Sequence, residues 1–517
     1  MGKLLSRQTF IKGLAGCLTG TILTGCYAED VREGGETKKE EGTEYKTETG
    51  HETEFYKDPN EIETIIWYYH KGIMSMEEEV EKELNRRLQE KGLPVNIEFR
   101  KYDYNGFQEN RDPSAFDGAD ILCVPASTSR HDTYAELARS GEFACMDEFL
   151  QSQEGVKLRA CFPENYWRGT EVDGKVYALL NPIFTLQFYF VINKKMAEKY
   201  RISEEELQGE RIWELVSYIY QQEKEAGNEE LIGLEACDWD SFESIIYPWT
   251  SSEEIGVYKE NGKWKAKFLI DIPEYQEFLR KLNNLHLEGA YQAASRERQM
   301  GNFFAMFGYS YSKKGAALKS LSMIDETIWG DWSEEDFLIL DANHLKDRRY
   351  RGNGRMIAVR EASDHKTLAM KVLAAIYGDA ELSELMNYGI MDKNCLEADD
   401  GNRIECLNGD YTLYFGNPFL MRASTKEDAN RAEEVWKLMD QDVSPLCGFH
   451  LDTSGMEDLW LRIDLLQGQY LDSYYSGLSE SIAEDEEKIR KGLESIGAYR
   501  VLPEIEEQLN RFDERKA

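Results

Sequence analysis

The passage from residue 173 to residue 200, DGKVYALLNPIFTLQFYFVINKKMAEKY, holds two strands and a helix start with no room for a domain between them. Val176 to Leu180 is a short apolar run opened by the turn pair Asp173-Gly174, and Phe188 to Ile192 is a second, rich in aromatic and β-branched residues. Asn181 and Pro182 separate them. Proline has no N–H to give to a ladder, so the sheet that contains the first strand should stop here. From Asn193 the pattern turns helical. A strand that leaves one unit and at once enters another is the crossover of a two-lobed protein with a cleft at the junction; the alternative is a strand pair inside one large α/β domain.

A chain of 517 residues exceeds what one hydrophobic core supports, which also favours two lobes or more. Ninety-seven acidic against 61 basic residues give a formal charge of −36, which argues against nucleic acid and against adsorption to anionic lipid. The N-terminus follows the export pattern: Lys3, Arg7 and Lys12, an apolar segment from Leu14 to Leu23 too short for a permanent span, then small residues before Cys26. From Tyr27 to about Asn60 the chain is Glu, Lys, Thr and Gly with scarcely an aliphatic residue, the composition of a flexible tether. Setting aside Cys17 and Cys26 leaves seven of the nine cysteines, an odd number without a CxxC, which weakens both a disulfide framework and a zinc site. Cys395 and Cys406 are near enough in sequence for a local bridge, with buried free thiols the competing reading.

Downstream of the tether, Ile62 to Tyr69 reads as a strand, Met76 to Lys91 as a helix with Val80, Leu84 and Leu88 on one face, and Val95 to Phe99 and Ala119 to Val124 as further strands. Strand, helix, strand with this crossover implies parallel pairing, and ligands of such sheets bind beyond the carboxyl ends of the strands. After the crossover, helices are expected at Trp213 to Glu225, Asp240 to Ile246 and Ile272 to Glu288, with a hairpin strand from Lys263 to Phe268 after Asn261-Gly262. Gly301 to Tyr311 reads as a strand leading to an aromatic loop, Phe337 to Leu340 as a strand, and Arg355 to Val359 as the return crossing. A helix from Ser363 to Tyr377, capped by Ser363 and ended by Gly378, follows, and the tail from Met456 to Phe512 is helical and acidic.

Five passages carry a resemblance when taken in order: Leu23-Thr24-Gly25-Cys26, DGKVYALLNP followed by FYFVINKKMAEKY, GNFFAMFGYSYS, GRMIAVREASDHKTLAMKVL, and the ending from SPLCGF to GLESIGAYRVLPEIEEQLNRF. The first is similar to the bacterial lipoprotein box, in which Cys26 becomes the lipidated N-terminus. Together they resemble the extracellular solute-binding proteins of bacterial ABC importers, the oligosaccharide group that includes maltose-binding protein, with an ending like the LipO-type lipoproteins of Gram-positive bacteria. The resemblance implies an α/β, type II periplasmic-binding-protein-like fold: two lobes, each a mostly parallel sheet flanked by helices and each discontinuous in sequence, joined by a hinge. The implied division is a signal peptide at 1–25, lipidated Cys26 and tether to 60, lobe 1 at 61–181 and 355–425, lobe 2 at 182–354, and lobe 2 with C-terminal helices at 426–517. It further implies a monomer on the outer face of the cell membrane, held by lipid on Cys26, that hands an oligosaccharide to ABC permease subunits. No cofactor, metal or catalysis is expected.

The residues agree with binding rather than catalysis. The chain has no Gly-x-Ser-x-Gly elbow, phosphate loop or His-Glu-x-x-His, and its seven histidines show no ligand spacing. A surface glycoside hydrolase stays open, since acidic pairs are plentiful, as does a peptide or other non-sugar solute. Sugar rings stack on aromatic faces and their hydroxyls need amide, carboxylate or guanidinium partners once water is expelled. The candidate contacts at strand ends are Tyr69, His70, Ser127, Asn181, Gln187, Trp249, Tyr309, Tyr311 and Asn417. Of these, the resemblance favours Tyr309 and Tyr311, since the family places an aromatic just after that strand. Lys346, Arg348, Arg349, Arg351 and Arg355 form a local basic cluster, in which Arg348 and Arg351 are candidate anion contacts against the alternative of a solvated loop.

Overall fold

The computed structural model describes residues 62–70, 76–102, 116–126, 132–181, 187–207, 211–236, 249–250, 255–293, 303–310, 334–341, 352, 354–398, 401, 403–407, 415–423 and 431–516. The signal segment, Cys26, the tether and the expected helix at 240–246 lie outside them. In chain order the strands are β1 (Glu63–His70), β2 (Val95–Tyr102), β3 (Ile121–Ala126), β4 (Glu171–Val172), β5 (Lys175–Val176), β6 (Ala178–Asn181), β7 (Gln187–Asn193), β8 (Ile232–Ala236), β9 (Trp249–Thr250), β10 (Ile255–Glu260), β11 (Lys263–Phe268), β12 (Tyr291–Ala293), β13 (Phe303–Ser310), β14 (Phe337–Asp341), β15 (Gly354–Val359), β16 (Cys395–Glu397) and β17 (Ile404–Cys406).

Two five-stranded sheets dominate, in the orders β2-β1-β3-β15-β6 and β12-β8-β13-β7-β14. In the first, β1 pairs in parallel with β2 and β3. The helix Glu78–Glu90 makes the crossover and buries Val80, Leu84 and Leu88 completely. Spacing of four residues puts those side chains on one stripe, which is why the helix lies on the sheet. The second sheet repeats the scheme with β8 parallel to β12 and to β13. Each sheet also holds one strand running the other way: β15 is antiparallel to β3 and β6, and β7 is antiparallel to β13 and β14. These are the two strands by which the chain enters from the opposite sheet. The result is a two-lobed α/β fold.

The apolar run at 176–180 is split, with β5 pairing β4 in a two-residue hairpin and β6 joining the first sheet. Gly169 and Thr170 close the short helix Glu164–Gly169 just before it. Asn261 and Gly262, both at positive φ, turn β10 into β11 as the two-residue loop anticipates. One expected helix start differs. The helix begins at Lys366, not Ser363, because the Ser363 hydroxyl donates to Asp120 Oδ1 at 2.5 Å and accepts the His365 N–H at 3.0 Å. Gly378 ends it, and Asp379 caps the next helix, Ala380–Tyr388. Cys395 and Cys406 stand directly opposite one another across the β16–β17 hairpin.

The helix Arg431–Gln441 adds Val435 and Met439 to the core beneath the first sheet. The chain then crosses for a third time. Leu446 is buried in the core formed by β10, β11 and the C-terminal helices Glu457–Gln467, Ile482–Ile496 and Val501–Glu514, whereas the adjacent Cys447 is buried in the first-sheet core. Lys516 donates to the carbonyls of Pro445 at 2.7 Å and Cys447 at 3.2 Å. Its burial, with Arg168 nearby, brings the ammonium pKa down to about 8. Arg139 forks onto the carbonyls of His450 and Leu451 at 3.0 and 3.3 Å, and buried His450 Nδ1 is hydrogen-bonded to Asp132, which also caps the helix Thr133–Arg139.

Two crossing glycines sit against one helix end. A Cβ on Gly352 would lie 2.2 Å from Gly169 Cα, and one on Gly448 2.4 Å from the Arg168 carbonyl oxygen, and both glycines have positive φ. Gly352→Ala and Gly448→Ala should each destabilise the fold by at least about 1 kcal/mol, from strain and lost close packing. Gly378→Ala, where nothing lies within 4 Å, should be neutral or slightly stabilising. Thermal unfolding of the three variants checks this, and equal midpoints would refute the role given to the first two.

Candidate functional site

The edges at which the parallel strands end belong together. On the first sheet that edge carries His70, Ala126, Asn181 and the start of β15 at Gly354; on the second it carries Ala236, Ala293, Ser310, Asp341 and the start of β7 at Gln187. Asn181 and Gln187 are six Cα steps apart, a reach of at most about 20 Å. The carboxyl ends of both sheets therefore border a common gap, where open α/β sheets bind their ligands.

On the first edge, Tyr69, Cys123, Pro125, Arg355 and Asn181 lie on one face of the sheet, because parallel and antiparallel partners in register point the same way. Asn181 is buried, and its Oδ1 accepts the Tyr377 hydroxyl at 3.3 Å. The Tyr377 oxygen is also bonded by the Gly416 backbone, and complete burial raises its pKa well above the usual phenol value. Asn417 follows directly: its Nδ2 donates to the Tyr377 carbonyl at 2.9 Å and its Oδ1 accepts the Phe419 N–H at 3.0 Å. The structure thus brings Asn181 and Asn417 together through Tyr377, with Asn417 wholly buried and its amide engaged by backbone.

Tyr69 is also inside, 2% exposed, its hydroxyl accepting the Met76 N–H at 3.1 Å. Its ring stands edge-on to Phe99 and Phe415, each 6.2 Å away, and Trp67 packs on the same two rings at 5.3 Å. Burial raises the Tyr69 pKa. This cluster braces the end of β1 and the 415–417 loop, so the ring now supports the edge from behind.

Of His70, Gln187, Trp249 and Tyr309 the backbone alone is described. His70 ends β1; Gln187 pairs with Ser310, and Tyr309 with Phe188, so Gln187 and Tyr309 stand on the second edge one register position apart. Trp249 is on neither large sheet but in the small sheet β11-β10-β9, opposite Val257. Ser127, directly after β3, and Tyr311, directly after β13, lie outside the described residues, as do Arg348 and Arg351.

Two residues at the edges were not among the candidate contacts, Glu235 not named from the sequence at all and Arg355 only as a member of the basic cluster. Glu235, next to last in β8, is 1% exposed and aligned with Gln292 and Met306. A single acidic residue in LIGLEA gives no signal of that placement. Arg355, second in β15, is half-buried between Pro125 and Asn181. Its charge acts on Cys123, whose thiol burial pushes up to about 12. Among the described residues, no group of three or more His, Cys, Asp or Glu is placed to hold a metal ion, and no helix is long and apolar enough to cross a membrane.

No protein-family profile and no curated protein matches the sequence. Solved structures do match over most of the chain. The N-glycan transport solute binding protein NgtS of Streptococcus pneumoniae is 18% identical, covers 88% of this chain and 100% of its own, and superposes with a TM-score of 0.67. An HMO-binding, ABC-transporter-associated solute binding protein from Bifidobacterium longum infantis is 15% identical over 88% of this chain and 99% of its own, at a TM-score of 0.60. The alginate-binding protein AlgQ2 is 12% identical over 87% and 98%, at 0.57. The chain has the fold of the two-lobed solute-binding proteins.

Asn417→Ala should destabilise the unliganded protein by about 1–3 kcal/mol, because it leaves the buried Tyr377 carbonyl and Phe419 N–H without partners. The measurement is unfolding by denaturant without added sugar; an unchanged midpoint would show that the amide is not needed by the fold.

Proposed function

We propose that the protein is an extracellular solute-binding component of an ABC importer that captures an oligosaccharide between its lobes and delivers it to membrane permease subunits. The observation that carries this is the gap between two strand-end edges, joined by β6-to-β7 and β14-to-β15 crossings, in a chain that superposes along almost its whole folded length on sugar-binding transport proteins. Two lobes on short connections exchange open and closed arrangements, and a ligand favours closure only through contacts to both. His70, Ser127, Asn181, Gln187, Tyr309 and Tyr311 are the proposed contacts, with Trp249 held in reserve on the small sheet and Tyr69 and Asn417 acting through the walls they hold. Leu23-Thr24-Gly25-Cys26 supports lipid anchoring at Cys26 on the outer membrane face, the tether to residue 60 giving the lobes freedom above the bilayer. The chain does no chemistry on its ligand in this reading.

Unfolding of the protein against a panel of neutral and acidic oligosaccharides, with reducing-end release assayed in the same wells, tests it. One sugar class should raise the midpoint, by an amount equivalent to about 2.7 kcal/mol at one hundred times Kd, with no release. Release of reducing ends would make it a glycoside hydrolase. Silence across the panel would point to a peptide or another solute.

A further inference from the structure

Among the described residues, most guanidinium groups at comparable depth have a carboxylate partner, and Arg355, like Arg168 beside the third crossing, has none. Arg360 donates to Glu142 at 2.6 Å and to the Phe116 carbonyl at 2.7 Å. Arg422 grips Glu384 and Glu397, both at 2.8 Å, Arg139 reaches Asp173 at 3.0 Å, and Arg490 reaches Asp271 at 3.1 Å. Among the described residues Arg355 has no hydrogen bond and no ion pair, although the chain carries 36 more acidic than basic side chains. A half-buried guanidinium has lost part of its hydration, and none of the described residues answers its five N–H donors.

Its position says what could answer them. Arg355 is the second residue of the strand that enters from the other lobe, so it stands at the strand-end edge, between Pro125 on β3 and Asn181 on β6. The face it shares carries no carboxylate: the Tyr69 ring with the exposed Lys101 ammonium beyond it, the Cys123 thiol, Pro125 and the Asn181 amide. No carboxylate of the described residues pairs with it. A planar fork in such a place matches a carboxylate in two-point fashion, which a lysine does not reproduce.

Resting on the solute-binding reading above, we propose that Arg355 pairs with a carboxylate on the bound sugar and makes the protein selective for acidic oligosaccharides, those built with hexuronic or other carboxylated residues. A neutral sugar would leave the guanidinium without a partner once the lobes close and water is expelled, and the site would reject it on that account.

The test uses the full chain and two matched probe pairs: a hexuronic acid tetrasaccharide with its carboxyl-reduced counterpart, and a sialylated glycan fragment with its desialylated form. In titration calorimetry one acidic member should bind at least tenfold more tightly than its neutral partner. Arg355→Gln should lower affinity for that acidic member ten- to a hundredfold and leave the neutral member's affinity equal or higher, so that the gap between the two members narrows or closes. Arg355→Lys should recover part of the loss. The unliganded melting point of both variants should stay at the wild-type value, since no partner among the described residues is removed. Equal binding of acidic and neutral members to the wild type, or acidic binding that survives Arg355→Gln, overturns this assignment and leaves the solute-binding reading standing. Failure of every sugar to bind overturns both.

Discussion

The direction of two strands governs the architecture. In a parallel sheet all strands end at one edge, and a chain arriving from the neighbouring lobe across that edge must begin there. It can join the sheet only by running backwards. β7 and β15 do so, each antiparallel to its neighbours, and each is flanked on both sides rather than left at a rim. Antiparallel pairing of these central strands ties each crossing into the middle of a sheet by full ladders, so the connections leave from rigid ground. The gap between the lobes follows from the same geometry, because the two edges that face it are the only places from which such strands can start.

The third crossing has a different construction. Leu446 and Cys447 put adjacent side chains into separate cores, so a single peptide unit marks the transfer. Backbone turns hold that unit, its N–H on the Ser444 carbonyl and its carbonyl on the Phe449 N–H, and side chains instead of a ladder meet the carbonyls on either side: Lys516 those of Pro445 and Cys447, and Arg139 those of His450 and Leu451. Side-chain hydrogen bonds re-form at modest cost when the angle between lobes changes, which a ladder would resist. The positive-φ glycines Gly352 and Gly448 place two of the crossings against the end of the Glu164–Gly169 helix.

What could be seen in the sequence was the scaffold of amphipathic elements. Val80, Leu84 and Leu88, or the alternation of Val95 and Ile97 with exposed Asn96 and Glu98, obey the 3.6- and 2-residue periods because one face of each element meets water. β8 and β12 escaped that reading. Gly233 has no side chain to show a period, since a Cβ there would meet the Ala290 carbonyl at 2.8 Å, and Glu235 is charged yet buried. The site divides in the same way. Strand ends were legible through the carboxyl-end rule, which is why Asn181, Gln187 and Tyr309 fall on the edges. Direction of a side chain was not: Tyr69 and Asn417 carry the groups a sugar contact needs, but the Met76 N–H and the Tyr377 carbonyl use them first. Arg355 stood last of five basic residues spread over 346–355 and looked like part of a solvated loop, whereas pairing with β3 and β6 sets it apart.

A cation at the edge of a chain with formal charge −36 poses an electrostatic question, since that charge should repel an acidic ligand. Distance settles it. At physiological ionic strength, exposed charges fade over about 8 Å, so most of the carboxylates act on the approach of a ligand and hardly on its bound state. Within the gap the relevant charge is the nearest one in the least hydrated surroundings, where attraction is several times stronger than in bulk water. A protein can therefore be acidic overall and still hold a carboxylate firmly, at the expense of a slower and salt-dependent encounter. On the proposal made for Arg355, the surface charge and the half-buried guanidinium would act on different steps of one binding event.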